Sequence, residues 1–204
     1  MNNEEVIKFM SLSGNILRRT QNLFFTYKSL NNSIAHLSNN LKWYKPTLGH
    51  ENKYRMKDLG GLLFQYNKSV FESMIFLIEK TIDDLFFDIN DVQHEKLEFW
   101  KIYENRIYGK DVAILRNINN SIKHSNGIVE NQSKSGCHLI ENGFKADNKI
   151  DYHTINLEDY IYKLFVFQMD VICELFKQEN KWQHKSKEDL YIMLIPDFVK
   201  EQLG

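Results

Sequence analysis

Between Leu59 and Ile89 apolar residues return at three- and four-residue steps: Leu59, Leu62, Leu63, Tyr66, Val70, Phe71, Met74, Leu77, Ile78, Ile82, Leu85, Phe86 and Ile89. This is the period of an α-helix with one broad buried stripe; a strand would alternate every second residue. The spacing predicts a helix over about Lys57 to Asn90, with an apolar face wide enough to pack on two neighbours and therefore a central position. Proline, the residue most able to break such a run, occurs only at Pro46 and Pro196. Gly60-Gly61 near the start permits a close helix crossing or a loosened helix end.

The same period recurs on either side. Val6, Phe9, Met10, Ile16, Leu17, Leu23, Phe24, Tyr27, Leu30, Ile34 and Leu37 predict a first helix over about Glu4 to Leu37, with Gly14 and Asn31-Asn32 as weak points. Its Arg18-Arg19 doublet reads as a solvated face. Ser38 to Asn52 reads as a connection, because the residue before Pro46 is pushed out of the helical region, and Trp43 and Tyr44 are suited to pinning it. A shorter helix is expected within Asp91 to Tyr108, with His94 at its start. Asn156 then caps a last long helix, reaching about Glu179, whose core face is Leu157, Tyr160, Ile161, Leu164, Phe165, Met169, Ile172, Leu175 and Phe176, with Cys173 inside it. The fold class expected is therefore all-α, a helical bundle in one domain over residues 1–204.

One segment interrupts the pattern. Residues 126–155 are rich in Gly, Ser and Asn and read as an irregular or β-hairpin insertion. Ile128-Val129 and Cys137 to Ile140 suit short strands, Asn142-Gly143 suits a tight turn, and Phe144 to Tyr152 suits a third extended piece. Past the last long helix, Lys181, His184, Lys185 and Lys187 surround Trp182, a pattern able to contact nucleic acid and more often a solvated surface. Leu190 to Leu194 is a short apolar run that ends before Pro196.

The net charge of −1 excludes a strong global field toward nucleic acid or an anionic membrane and leaves only a local patch. Cys137 and Cys173 are the two cysteines and form no CxxC pair, which argues against a thiolate zinc site and for a reducing, cytoplasmic setting. The start, Met1 to Glu5, lacks the basic-then-apolar order of a signal peptide. No apolar run approaches the roughly 18 residues needed to span a bilayer. There is no HExxH, no phosphate-binding Gly-rich loop with Lys-Ser/Thr and no GxSxG elbow, so no metal or cofactor is expected. Asp83-Asp84 and Asp88 read as a solvated acidic face.

By elimination, the chemistry concentrates in the helix predicted from about Asp111 to His124, which Gly109 precedes as a breaker and Asp111 caps. Ile114, Leu115, Ile118 and Ile122 form its buried face. Asn117, Asn120 and His124 follow at steps of three and four and so share a polar flank beside Arg116, while Asn119 points elsewhere. Three Asn in four residues oppose helix propensity. That reads either as a site or as an Asn-rich last turn stopped by Gly127.

The order of elements, with Lys123-His124-Ser125-Asn126-Gly127-Ile128-Val129 closing the polar helix ahead of an irregular segment and a final amphipathic helix, resembles the HEPN superfamily. The resemblance implies an all-α domain, a homodimer, partners that include RNA or an antitoxin protein, and a metal-independent ribonuclease in toxin–antitoxin or antiphage systems. His124 matches the family's histidine, and Asn120 matches the polar residue that follows the family's arginine. The arginine position itself is Asn119 here. Arg116-Asn117 supplies an Arg-Asn pair with seven residues before His124 instead of four to six. The implied roles are His124 as general acid or base, Arg116 on the phosphate, Asn120 and Asn117 orienting, and Lys123 assisting phosphate binding. The other implied form is an inactive HEPN-like module for dimerisation or partner binding, because Asn119 stands where the arginine belongs.

Overall fold

A computed structural model of the chain describes residues 1–44, 50–93 and 96–195 and, within these, no side chain of 41–44, 50–56 or 93. The all-α expectation holds. Helices α1 (Asn3–Tyr44), α2 (His50–Gln93), α3 (Phe99–Ile102), α4 (Gly109–Ser125), α5 (Lys134–Glu141), α6 (Leu157–Leu175) and α7 (Lys187–Leu194) follow in order. Among the described residues the only β pairing is an isolated bridge between Ile128 and Lys149.

α1 and α2 are 42 and 44 residues long, about 63 and 66 Å at 1.5 Å per residue, and pack on each other. Both outrun the predicted helices. The connection expected over Ser38 to Asn52 is helical to Tyr44 and again from His50; Pro46 and Gly49 lie outside the described residues, as do His94, Pro196 and any pinning by Trp43 and Tyr44. Gly14 and Asn31-Asn32 leave α1 unbroken. Asn2 accepts from the Glu5 N–H while Glu5 accepts from the Asn2 N–H, a reciprocal cap at the start of α1.

The apolar stripe of α2 divides at Val70. From Val70 to Ile89 its positions are buried, Leu77 partly so. Before it, Leu59 and Leu62 are exposed, Leu62 at 65%. The outer half of the α1–α2 hairpin therefore extends past the core, and Leu37 on α1 lines an apolar groove there with Leu59, Leu62 and Leu63. Arg19 crosses from α1 to Asp88 at 2.9 Å and Asp84 at 3.9 Å. The basic doublet and the acidic face, both expected to be solvated, thus meet through Arg19 in an interhelical ion pair.

The central helix is α6. Six consecutive residues, Leu164 to Met169, are buried, so this helix is covered on every side, and it packs against α1, α2, α4 and α7. A stripe predicted for one face understates such a helix: Tyr162, Val166, Phe167 and Val171 are buried as well. Its cap is the expected one, Asn156 accepting from the Asp159 N–H. Trp182, expected amid a basic surface, packs edge-on against Phe165 at 4.9 Å. Leu190 and Leu194 close the bundle from α7.

The hairpin expected within 126–155 is corrected in its middle. Cys137 to Ile140 is part of helix α5, started by Ser133, whose hydroxyl accepts from the Gly136 N–H. A Cβ at Gly136 would lie 1.8 Å from the Glu130 carbonyl oxygen, so only glycine fits where α5 turns back on its own loop. Asn142-Gly143 ends this helix, with Gly143 at φ +92°; the same dipeptide chemistry that closes hairpins also closes helices. The extended pieces flanking α5 do pair. Val129 donates to the Asn148 carbonyl, and Asp147 and Ile150 donate to the carbonyls of Val129 and Gly127.

Candidate functional site

α4 begins differently from the expectation. Gly109 is its first residue rather than a breaker before it, and Tyr108 turns into it at φ +57°. A Cβ at Gly109 would stand 1.7 Å from the Tyr103 carbonyl oxygen. Asp111 lies inside the first turn and caps nothing; its carboxylate holds Lys163 of α6 at 2.6 Å. The buried face comprises Val112, Ala113, Leu115 and Ile118, with Ile114 and Ile122 half-buried. At the far end Asn126 and Gly127 both take the left-handed conformation, and the Gly127 N–H reaches the Ser121 carbonyl at 2.9 Å, the bond that closes a helix of this ending.

Arg116, Asn119 and Lys123 recur at steps of three and four on α4 and meet one carboxylate of α2. Glu79 is 8% exposed. It accepts from the Asn119 amide, from the Lys123 ammonium at 2.6 Å, and faces the Arg116 guanidinium at 3.8 Å. Arg116 also pairs with Asp83 at 2.9 Å and lies over the rings of Phe99 and Trp100, at 4.9 and 5.8 Å from their centroids. Lys123 lies over Phe76 at 5.5 Å. The cations proposed for phosphate are thus held by protein carboxylates. Asn119, expected to point away from the site, is 2% exposed and inside this cluster.

The polar flank has its own cover. Asn117 is buried and donates to the Ala113 carbonyl one turn back. Asn120 donates to the Ser135 hydroxyl of α5 at 3.2 Å. His124 is exposed on the last turn, and its side chain makes no hydrogen bond among the described residues. The structure therefore joins Arg116 to α2, Asn120 to α5 and leaves His124 in solvent; no contact brings Arg116 and His124 together. Eight residues of helix separate them by about 12 Å.

In the sequence Glu79 reads only as an interruption of the apolar run ending at Ile78. Its signal is position: it falls beside Ile78 within the buried stretch of α2, where an unpaired carboxylate is costly and implies a cation from a neighbouring helix. Among the described residues no cluster of three or more His, Cys, Asp or Glu side chains could hold a metal ion, and no helix is long and apolar enough to cross a membrane. Comparison of the chain with protein-family models, with curated proteins and with solved structures finds no match.

Proposed function

We propose that the chain is a HEPN-like helical module that works by binding, as a homodimer or with a protein partner, and not by cleaving RNA. The observation that carries this reading is the state of Arg116. A guanidinium that must stabilise a phosphorane needs a free face, whereas Arg116 is paired with Asp83 and Glu79 and lies over the rings of Phe99 and Trp100. The α5 helix over Asn120 supports it further, since the flank that would orient substrate is already bonded.

Metal-independent RNA cleavage is the second reading, favoured by the exposure of His124 beside exposed Lys123 on the last turn of α4. One experiment separates the two. Wild type and His124→Ala are incubated with mixed RNAs in EDTA, with folding checked by circular dichroism and mass in solution by light scattering. Intact RNA in both samples, with wild type at twice the chain mass or retaining a protein partner, is the expected result. Cleavage by wild type that disappears in a folded His124→Ala overturns it.

A further inference from the structure

On the other side of α4 lies a cleft that neither reading uses. Ile122 lines it, and His124, two residues on, is about 200° further round the helix. The cleft has a volume of about 360 Å³ and runs between α2 and the strap from Lys149 to His153, within the range of small-ligand sites.

Its wall is aromatic. The Tyr152 ring sits 5.9 Å from Phe64, 5.7 Å from Phe71 and 4.1 Å from the His153 ring. Phe64 lines the cleft and is 50% exposed, so part of its ring is open to a ligand. The Tyr152 hydroxyl is buried without a hydrogen-bond partner, which costs free energy. The ring is therefore held by neighbours tilted against it, at 55° to Phe64 and 36° to Phe71, and its hydroxyl is not what positions it.

The polar groups are few and of two kinds. Gln65 and Asn126 line the cleft with amides that make no hydrogen bond among the described residues; each can donate and accept side by side. Lys149 is exposed, its backbone fixed by the bridge to Ile128, and it has no carboxylate partner among the described residues. Of the acidic groups present, Glu72 is engaged with Lys68 at 3.5 Å, and the Asp151 carboxylate accepts from the His153 N–H of its own turn.

We propose that this cleft binds a nucleotide, its base stacked on Phe64 with Tyr152 closing the side, its base edge read by Gln65 or Asn126, and its phosphate at Lys149. The exposed ring of Phe64 selects a planar ring to stack on it, a free amide selects a ring with both donors and acceptors on its edge, and a single free cation selects an anionic substituent. The ligand is either a free mononucleotide or the phosphorylated end of a single strand.

Isothermal titration of the intact chain with adenosine 5′-monophosphate, with adenosine, and with a 5′-phosphorylated RNA pentamer tests the site. Binding of the mononucleotide is expected, weakened roughly tenfold or more by Phe64→Ala, a change that opens no core cavity because the ring is half exposed. Lys149→Ala is expected to weaken the mononucleotide and leave adenosine unchanged. Tyr152→Phe retains binding and serves as the check that the ring, and not its hydroxyl, makes the contact. A pentamer that binds at least tenfold tighter than the mononucleotide assigns the site to a strand end, and equal affinity assigns it to the free nucleotide. Absence of binding at millimolar mononucleotide, or binding indifferent to Phe64→Ala, overturns the proposal.

Discussion

Replacing Glu79 by leucine should destabilise the polar contact between α2 and α4. The Asn119 amide, 2% exposed, would lose its acceptor, at about 1–3 kcal/mol for a buried unpaired donor. Arg116 would lose one of two carboxylates while keeping Asp83, an exposed partner worth about 0–1 kcal/mol. Lys123 is 41% accessible at its side chain and returns to water at little cost. The sum falls at about 1–3 kcal/mol, below or at the lower end of the range for breaking a buried ion pair from one side. Urea unfolding followed by circular dichroism reads it as a midpoint lower by roughly 0.3–1.5 M, taking a slope of about 2–3 kcal/mol/M. The decisive sample is Glu79→Leu combined with Asn119→Leu. With donor and acceptor both replaced by apolar groups, at least about 1 kcal/mol should return. A double variant as unstable as the sum of the two singles, or a Glu79→Leu variant within about 0.5 kcal/mol of wild type, would refute the account of Glu79 as the hub of this contact.

Further expectations concern the core and the turns. Gln168 is 0% exposed with neither end of its amide bonded, so Gln168→Met should raise stability by about 1–2 kcal/mol in the same urea assay; a loss would show that the amide has a partner, such as an ordered water. Gly109→Ala should destabilise by several kcal/mol, because the added carbon meets the Tyr103 carbonyl at 1.7 Å and backbone must move; a neutral result in thermal unfolding would contradict the close approach. Stability should fall on the alkaline side. Burial pushes the Cys173 thiol up from 9.0 to about 11, and burial likewise raises Tyr160, Tyr162 and Tyr191. The unfolded chain then releases protons first, so the contribution of Cys173 is whole below about pH 9 and drains away between there and about 11. Urea midpoints measured from pH 8 to 11 check the direction, and a flatter slope in Cys173→Ala assigns its share.

The helical class was legible because period 3.6 is a direct record of which side chains meet a core, and α4 and α6 were found within a few residues of their ends. Two things were not. Residues 137–140 carry too few apolar side chains for periodicity to separate helix from strand, and Asn142-Gly143 suits the end of either; the deciding facts, the Ser133 cap and the crowded Gly136, are three-dimensional. The identity of the central helix was also hidden. A broad stripe on α2 suggests the centre, yet its first turns lie beyond the core, while in α6 the burial of Leu164 to Met169 on every side depends on neighbouring helices that the residues of α6 do not name. At the candidate site, the angles on α4 put Asn117, Asn120 and His124 on one flank, yet each meets something different: the Ala113 carbonyl, Ser135 of α5 and solvent. What sequence could not supply was the other side of each contact: Glu79 beneath Asn119 and Ser135 above Asn120.

The burial of α6 also has a consequence in time. The helix that α1, α2 and α4 pack against is made after them, ending at Leu175 while α2 ends at Gln93. At about 5–20 residues per second of synthesis, the inner faces of α1 and α2 wait roughly 4–16 s for the segment that covers them. During that interval Leu12, Ile16, Met74, Ile75 and Ile78 belong to an unfinished surface, and a nascent chain halted before Leu157 would be the form most in need of a chaperone.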